Sequence, residues 1–162
     1  MNKFSNLKKR GVTAVEVLVG ASIAGVILVM ASYAISQFIN ASSALSEKTQ
    51  AVYLAEDGIE LLRYIRDNDW ANIGNLTAGT TYYLAPTATG VHVSGTPESI
   101  GSFNRSFVVE QVRRDNSSDD IVPSGAGGSS VDTDTRFITV TIAWGNPAQS
   151  ISLTSLLANQ NP

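Results

Sequence analysis

The chain contains no cysteine. Disulfides, zinc–thiolate sites, iron–sulfur clusters and cysteine nucleophiles are therefore excluded, and any exported part must hold together by packing alone. There is one histidine, His92, with no cysteine or carboxylate at ligand spacing. A Ser-His-Asp constellation has no candidate, and His92 reads as a surface residue of a short strand. Basic side chains are scarce beyond the start: Lys3, Lys8, Lys9 and Arg10 are four of the 11, leaving 7 against 14 acidic residues. So acidic a remainder does not suit a phosphate backbone, and no nucleic-acid partner is expected. Arg113-Arg114 is too small a basic patch to alter that. No catalytic constellation is visible, so the chain is expected not to be an enzyme and to need no cofactor.

Charge is also missing from Val17 to Ile35, and here the absence is informative. VLVGASIAGVILVMASYAI is 19 residues broken only by two serines and a tyrosine. At roughly 1.5 Å per residue it spans about 28 Å, close to the ~30 Å hydrocarbon core of a bilayer. A water-soluble helix of that length would show one polar face, and this one shows none. It reads as a transmembrane helix. The basic cluster directly before it keeps the N-terminus cytoplasmic and sends the remainder outward. Residues 1–10 lack the apolar centre of an ordinary secretory signal, and no small-x-small cleavage site follows Ile35 in an obvious place, so the helix is expected to persist in the mature protein.

Glu16 stands at the entrance to this segment. A lone carboxylate entering lipid costs several kcal/mol and needs a partner or a task. At headgroup level it would instead be solvated and add a favourable charge to the first helical turn. Around it the chain reads Lys8-Lys9-Arg10-Gly11-Val12-Thr13-Ala14-Val15-Glu16, with Glu16 fifth after Gly11. That run resembles the class III signal of type IV pilins and pseudopilins. The resemblance implies cleavage by a membrane-embedded aspartyl prepilin peptidase between Gly11 and Val12, a Val12 amino terminus that is commonly N-methylated, and an assembly role for Glu16. The first mature residue of that family is usually Phe or Met, so Val12 departs from its pattern. The family's frequent C-terminal disulfide loop is also absent.

The implied charge logic is simple. Cleavage exposes an ammonium on an apolar helix, and the Glu16 carboxylate of a neighbour, or of the same chain, can neutralise it in a low-dielectric bundle. Buried charges are tolerable only when paired. Gly20, Ala21, Ser22, Ala24 and Gly25 would allow other helices to approach closely. The resemblance thus implies a filament subunit whose partners are other pilin or pseudopilin subunits, the prepilin peptidase and the inner membrane, with a final place in an extracellular or periplasmic filament. The competing reading is an uncleaved single-pass anchor carrying a binding domain.

Beyond Ile35 the helical pattern continues without proline from Gln37 to Arg66. Leu45, Val52, Ala55, Ile59 and Leu62 form an apolar stripe. Gly58 is a weak point worth about 1 kcal/mol against Ala, and Asp67-Asn68-Asp69 is the expected stop. Thr80–Ala85 and Gly90–Val93 suggest short strands in a turn-rich stretch. Arg105–Arg114 reads as a strand with Phe107, Val109 and Gln111 on one face. Residues 115–132 read as a mobile loop. Arg136–Trp144 alternates cleanly, with Ile138, Val140, Ile142 and Trp144 on one face. After the Gly145-Asn146-Pro147 turn, Gln149–Leu157 returns with Ile151 and Leu153 inward. The expected fold is α+β: a long N-terminal helix, transmembrane in its first half, packed on a C-terminal antiparallel sheet of three or more strands.

The expected organisation is a leader at 1–11, a transmembrane assembly helix at 12–36, its amphipathic continuation at 37–67, and a globular head at 68–162. Two other groups were weighed as sites. Asp115, Asp119, Asp120, Asp132 and Asp134 bracket the loop, and some pseudopilins hold calcium in a comparable place. Their spacing fits no defined calcium loop, so solvated carboxylates are the default and no metal is assigned. Tyr82, Tyr83 and Trp144 could form a ligand face, although Trp144 is better placed in the core.

Overall fold

The computed structural model describes residues 13–88 and 90–160. Helix α1 runs from Ala14 to Asn68, 55 residues without a break. It stops where Asp67, Asn68 and Asp69 gather, residues whose short polar side chains compete for the backbone. The Asp69 carboxylate accepts the Ala71 N–H at 2.9 Å and starts the short helix α2, Ala71–Gly74. Seven strands follow: β1 Thr81–Thr87, β2 Gly90–Ser94, β3 Glu98–Ile100, β4 Phe103–Asp115, β5 Ile121–Val122, β6 Ser129–Trp144 and β7 Gln149–Ala158. All pairings are antiparallel, in the order β2-β1-β4-β6-β7, with β3 and β5 also pairing with β4. The architecture is α+β, a long apolar N-terminal helix followed by an antiparallel sheet. The chain divides into two compact units between Leu45 and Ser46.

In the second unit the helix lies on one face of the sheet. Ala51, Ala55, Gly58, Ile59, Leu62 and Ile65 are its buried residues. They meet Phe103, Phe107 and Val109 of β4, Ile138, Val140, Ile142 and Trp144 of β6, and Leu157 of β7. The covering stripe therefore differs from the one expected. Leu45 is 66% exposed and Val52 only half-buried, while Ala51 takes the inward place. Small residues line the contact because the helix runs close to the sheet. A Cβ on Gly58 would sit 3.0 Å from Val140 Cγ1 and 3.1 Å from Arg105 Cδ. What reads in the sequence as a weak point is a requirement for close approach. Gly58→Ala, which in an exposed helix gains about 1 kcal/mol, should here destabilise the head by about 1–2 kcal/mol, because overpacking outweighs propensity. Urea denaturation tests this, and a stabilised variant would refute the close-contact account.

Three further expectations are corrected. Residues 115–132 are not one open loop: β4 continues to Asp115, β5 pairs with it, and β6 begins at Ser129. Local hydrogen bonds supply the order that apolar content does not. Arg113 donates from Nη2 to the Ser129 carbonyl at 2.6 Å, and Arg114 donates from Nε to Asp132 at 2.7 Å. The inward phase of β4 also changes at a bulge between Gln111 and Val112, so Val112 is buried and Gln111 exposed. There β6 steps from Arg136 to Asp132 while β4 advances a single residue, and the alternation on β4 reverses. On β7, Ile151 is half-buried and Leu153 is 37% exposed, whereas Leu157 is buried. The strand lies at the sheet edge, where cover is incomplete.

Two arginines enter this core. Arg105, 4% exposed, donates to Glu98 through Nε at 2.9 Å and Nη2 at 2.8 Å, and to Asp57 of α1 through Nη1 at 2.6 Å. Burial disfavours its charge, but the hydrogen bonds and charges of Glu98 and Asp57 prevail and hold its pKa above the ordinary arginine value. Arg136 serves backbone instead: its guanidinium donates to the carbonyls of Asp132, Thr133, Thr135 and Gly74. It ties α2 to the start of the apolar part of β6. On the opposite sheet face, hydroxyl pairs Thr139–Thr154 at 3.1 Å and Thr141–Ser152 at 2.8 Å link β6 to β7.

Candidate functional site

Gly11 and Val12 lie outside the described residues. Thr13 is the first described residue, and it caps α1. Its hydroxyl accepts the Glu16 N–H at 3.4 Å, and the Glu16 carboxylate accepts the Thr13 N–H at 3.1 Å and the Thr13 hydroxyl at 3.3 Å. This reciprocal arrangement is a capping box, the Thr-x-x-Glu spacing in which cap and third helical residue satisfy each other's backbone. That spacing is plain in the sequence, yet the reading of Glu16 as a lone charge passed over it. The carboxylate is accordingly turned back onto Thr13, where the positive end of the helix dipole favours it.

From Thr13 to Gln50 every residue is exposed. The segment Ala14–Asn68 holds a stretch long and apolar enough to cross a membrane, and none of that stretch is buried. Large apolar side chains such as Val15, Leu18, Ile23, Leu28, Met30 and Phe38 are all more than half exposed. Its serines are self-satisfied: Ser22, Ser32 and Ser36 donate to the carbonyls of Leu18, Leu28 and Ser32 at 2.8, 2.9 and 3.0 Å. A hydroxyl bonded to the carbonyl one turn earlier carries no unmet donor into an apolar medium. At Gly20 and Gly25 an added Cβ would meet open space.

The other weighed residues fall in the second unit. His92 is exposed on β2, Tyr82 and Tyr83 are half-buried on β1, and Trp144 is buried against Phe103 with ring centroids 5.9 Å apart. The aspartates of the β4–β6 turn do not converge. Asp132 faces Arg114, Asp134 accepts from the Asn159 amide at 2.9 Å, and Asp115 accepts the backbone N–H groups of Ser117 and Ser118 at 2.8 and 3.1 Å. Among the described residues no group of three or more His, Cys, Asp or Glu could hold a metal ion.

Two of these carboxyls titrate below the ordinary range. For Asp115 the causes are the Ser117 hydroxyl, then the Ser117 and Ser118 N–H groups. For Asp132 burial pushes upward, but hydrogen bonds from Arg114, Thr135 and the Asp134 N–H together bring it down. A depressed native carboxyl means that the unfolded chain binds more protons, so stability rises with pH through this range. The contribution is fully present above the unfolded value of about 3.9 and is lost as pH falls through the lower native values. Urea midpoints should drop between about pH 5 and pH 2, and less steeply in an Asp115→Asn, Asp132→Asn double variant. Equal slopes in the two proteins would assign the acid sensitivity elsewhere.

No protein-family model, curated protein or solved structure matches this chain.

Proposed function

We propose that this chain is a structural subunit of a type IV pilin-like filament, a minor pilin or pseudopilin of a bacterial pilus, type II secretion or competence apparatus. It enters the inner membrane with its N-terminus in the cytoplasm, loses residues 1–11 to a prepilin peptidase, and waits there as a single-pass protein. Its apolar helix then joins other such helices in a filament, and the head is carried outside. The observation that carries this reading is the entrance of α1. The Glu16 carboxylate is bonded to Thr13, the residue that follows Val12 in the sequence, at the start of a helix exposed and apolar on all sides.

The Thr13 N–H already points its charge demand at Glu16, and the Val12 nitrogen is only one residue further back. In a bundle of low dielectric constant, that pair would be far stronger than at a wet surface. N-methylation of Val12 would retain the positive charge and leave this pairing possible. The acidic head and the absence of a disulfide incline the reading toward a minor subunit.

Mass spectrometry of the protein extracted from membranes of a cell with the processing peptidase tests the proposal. The expected N-terminus is Val12, with or without an added methyl group. A chain that keeps Lys8–Arg10 would instead be an uncleaved anchor with a tethered binding domain.

A further inference from the structure

The second unit contains a cavity of about 440 Å³ that the filament reading does not use. It lies between the end of α1, α2 and the β1–β2 hairpin, and its size is within the roughly 300–1,000 Å³ typical of small-molecule sites. The hairpin departs from the sheet early, since β1 pairs with β4 only at Thr81 and Tyr82 before turning to β2. Its far end rests on the helix: a Cβ on Gly90 would lie 3.3 Å from the Tyr64 hydroxyl. The apolar part of the lining is Ile65, Leu76, Tyr82, Val91 and Val93. Tyr82 is fixed there, with its hydroxyl accepting the Thr77 N–H at 3.1 Å and its ring 5.9 Å from Phe107.

The polar part of the lining includes three exposed asparagines, Asn68, Asn72 and Asn75, together with His92 and Ser94. The asparagines follow one another around the junction of α1 and α2. Among the described residues none hydrogen-bonds to these three carboxamide groups. None of the lining residues is Asp, Glu, Lys or Arg, although the protein is acidic as a whole. Each carboxamide offers two donors and an acceptor. A sugar hydroxyl is likewise both donor and acceptor, and a pyranose ring presents a C–H face suited to an apolar wall. A charged ligand would find no fixed counter-charge here.

We infer that this cavity binds a neutral saccharide, with the Asn68, Asn72 and Asn75 carboxamides holding its hydroxyls and Tyr82 with the β2 valines receiving its apolar face. The inference does not depend on cleavage or polymerisation. Such a site would let the head recognise a glycan surface while the helix serves another purpose.

The test uses the full chain, labelled with nitrogen-15 at asparagine, in a zwitterionic detergent that carries no sugar. Glucose and N-acetylglucosamine are titrated as probes, beside glucuronate and triglycine. Saturable shifts of the Asn68, Asn72 and Asn75 side-chain amides with a neutral sugar are expected, and an Asn72→Ala, Asn75→Ala double variant should bind at least about tenfold more weakly. His92→Ala, an exposed strand substitution, provides a second variant with the same expected direction should the first fail to fold. Saturation by glucuronate or triglycine alone, no saturation by either sugar, or wild-type affinity in a folded variant would overturn the assignment.

Discussion

Arg105→Ala is expected to lower the stability of the head by about 3–5 kcal/mol, the usual consequence of removing one member of a buried ion pair. The loss has two parts. The arginine stem packs in the core, and the Glu98 side chain, only 12% exposed, would be left without its bidentate partner. The contact to Asp57 matters less, because that carboxylate is 57% exposed and water can replace the guanidinium. Thermal unfolding should show a fall of about 10 °C or more. The informative comparison is Arg105→Met with Glu98→Gln. Removing both charges while keeping volume is often close to neutral, so the double variant should recover most of the loss. If the double variant is as unstable as Arg105→Ala, the orphaned Glu98 carboxylate is not the source of the loss.

Glu16→Gln should process normally and yet fail to assemble, with incorporation into filaments reduced about a hundredfold or more. The estimate follows from a buried charge pair worth about 3–5 kcal/mol, at about 1.4 kcal/mol for each factor of ten. Glutamine is the right test because it also serves as the third residue of a capping box. It keeps the bonds to Thr13 and deletes only the charge. Glu16→Ala removes both and costs the helix start a further ~0.5–2 kcal/mol by analogy with lost caps. Quantitative immunoblotting of sheared filaments against membrane-retained protein reads the effect. Normal incorporation of the glutamine variant would show that the carboxylate serves the cap alone and would remove the charge-pair mechanism.

Much of the fold was legible because periodicity is local. The alternation of Arg136–Trp144 placed Ile138, Val140, Ile142 and Trp144 inward, and all four are buried. The helix stop at Asp67-Asn68-Asp69 followed from poor helix formers in sequence, and α1 ends at Asn68. The two buried arginines were also within reach of the pattern. Arg105 has the parity of Phe107 and Val109, and Arg136 that of Ile138, but a charged residue is discounted as a core position unless its partners are known. Arg105 finds Glu98 and Asp57, 7 and 48 residues away in sequence, and Arg136 reaches Gly74, 62 residues away, besides nearby carbonyls of its own strand. At the candidate site the apolar helix is legible in the sequence, and the bond between Thr13 and Glu16 follows from the Thr-x-x-Glu capping spacing.

The amino-acid sequence by itself determined the elements: the uncharged helix, the strands with two-residue alternation, and a carboxylate at the start of a segment suited to lipid. These depend on residues within a few positions of one another. Only the tertiary structure decided which helical stripe faces the sheet, why Gly58 is needed there, where the bulge after Gln111 reverses the inward face, and how the β1–β2 hairpin closes a cavity against three asparagines. Each of those depends on the distance between segments far apart along the chain, and close packing translates such distances into demands on volume and hydrogen bonding that no local pattern records.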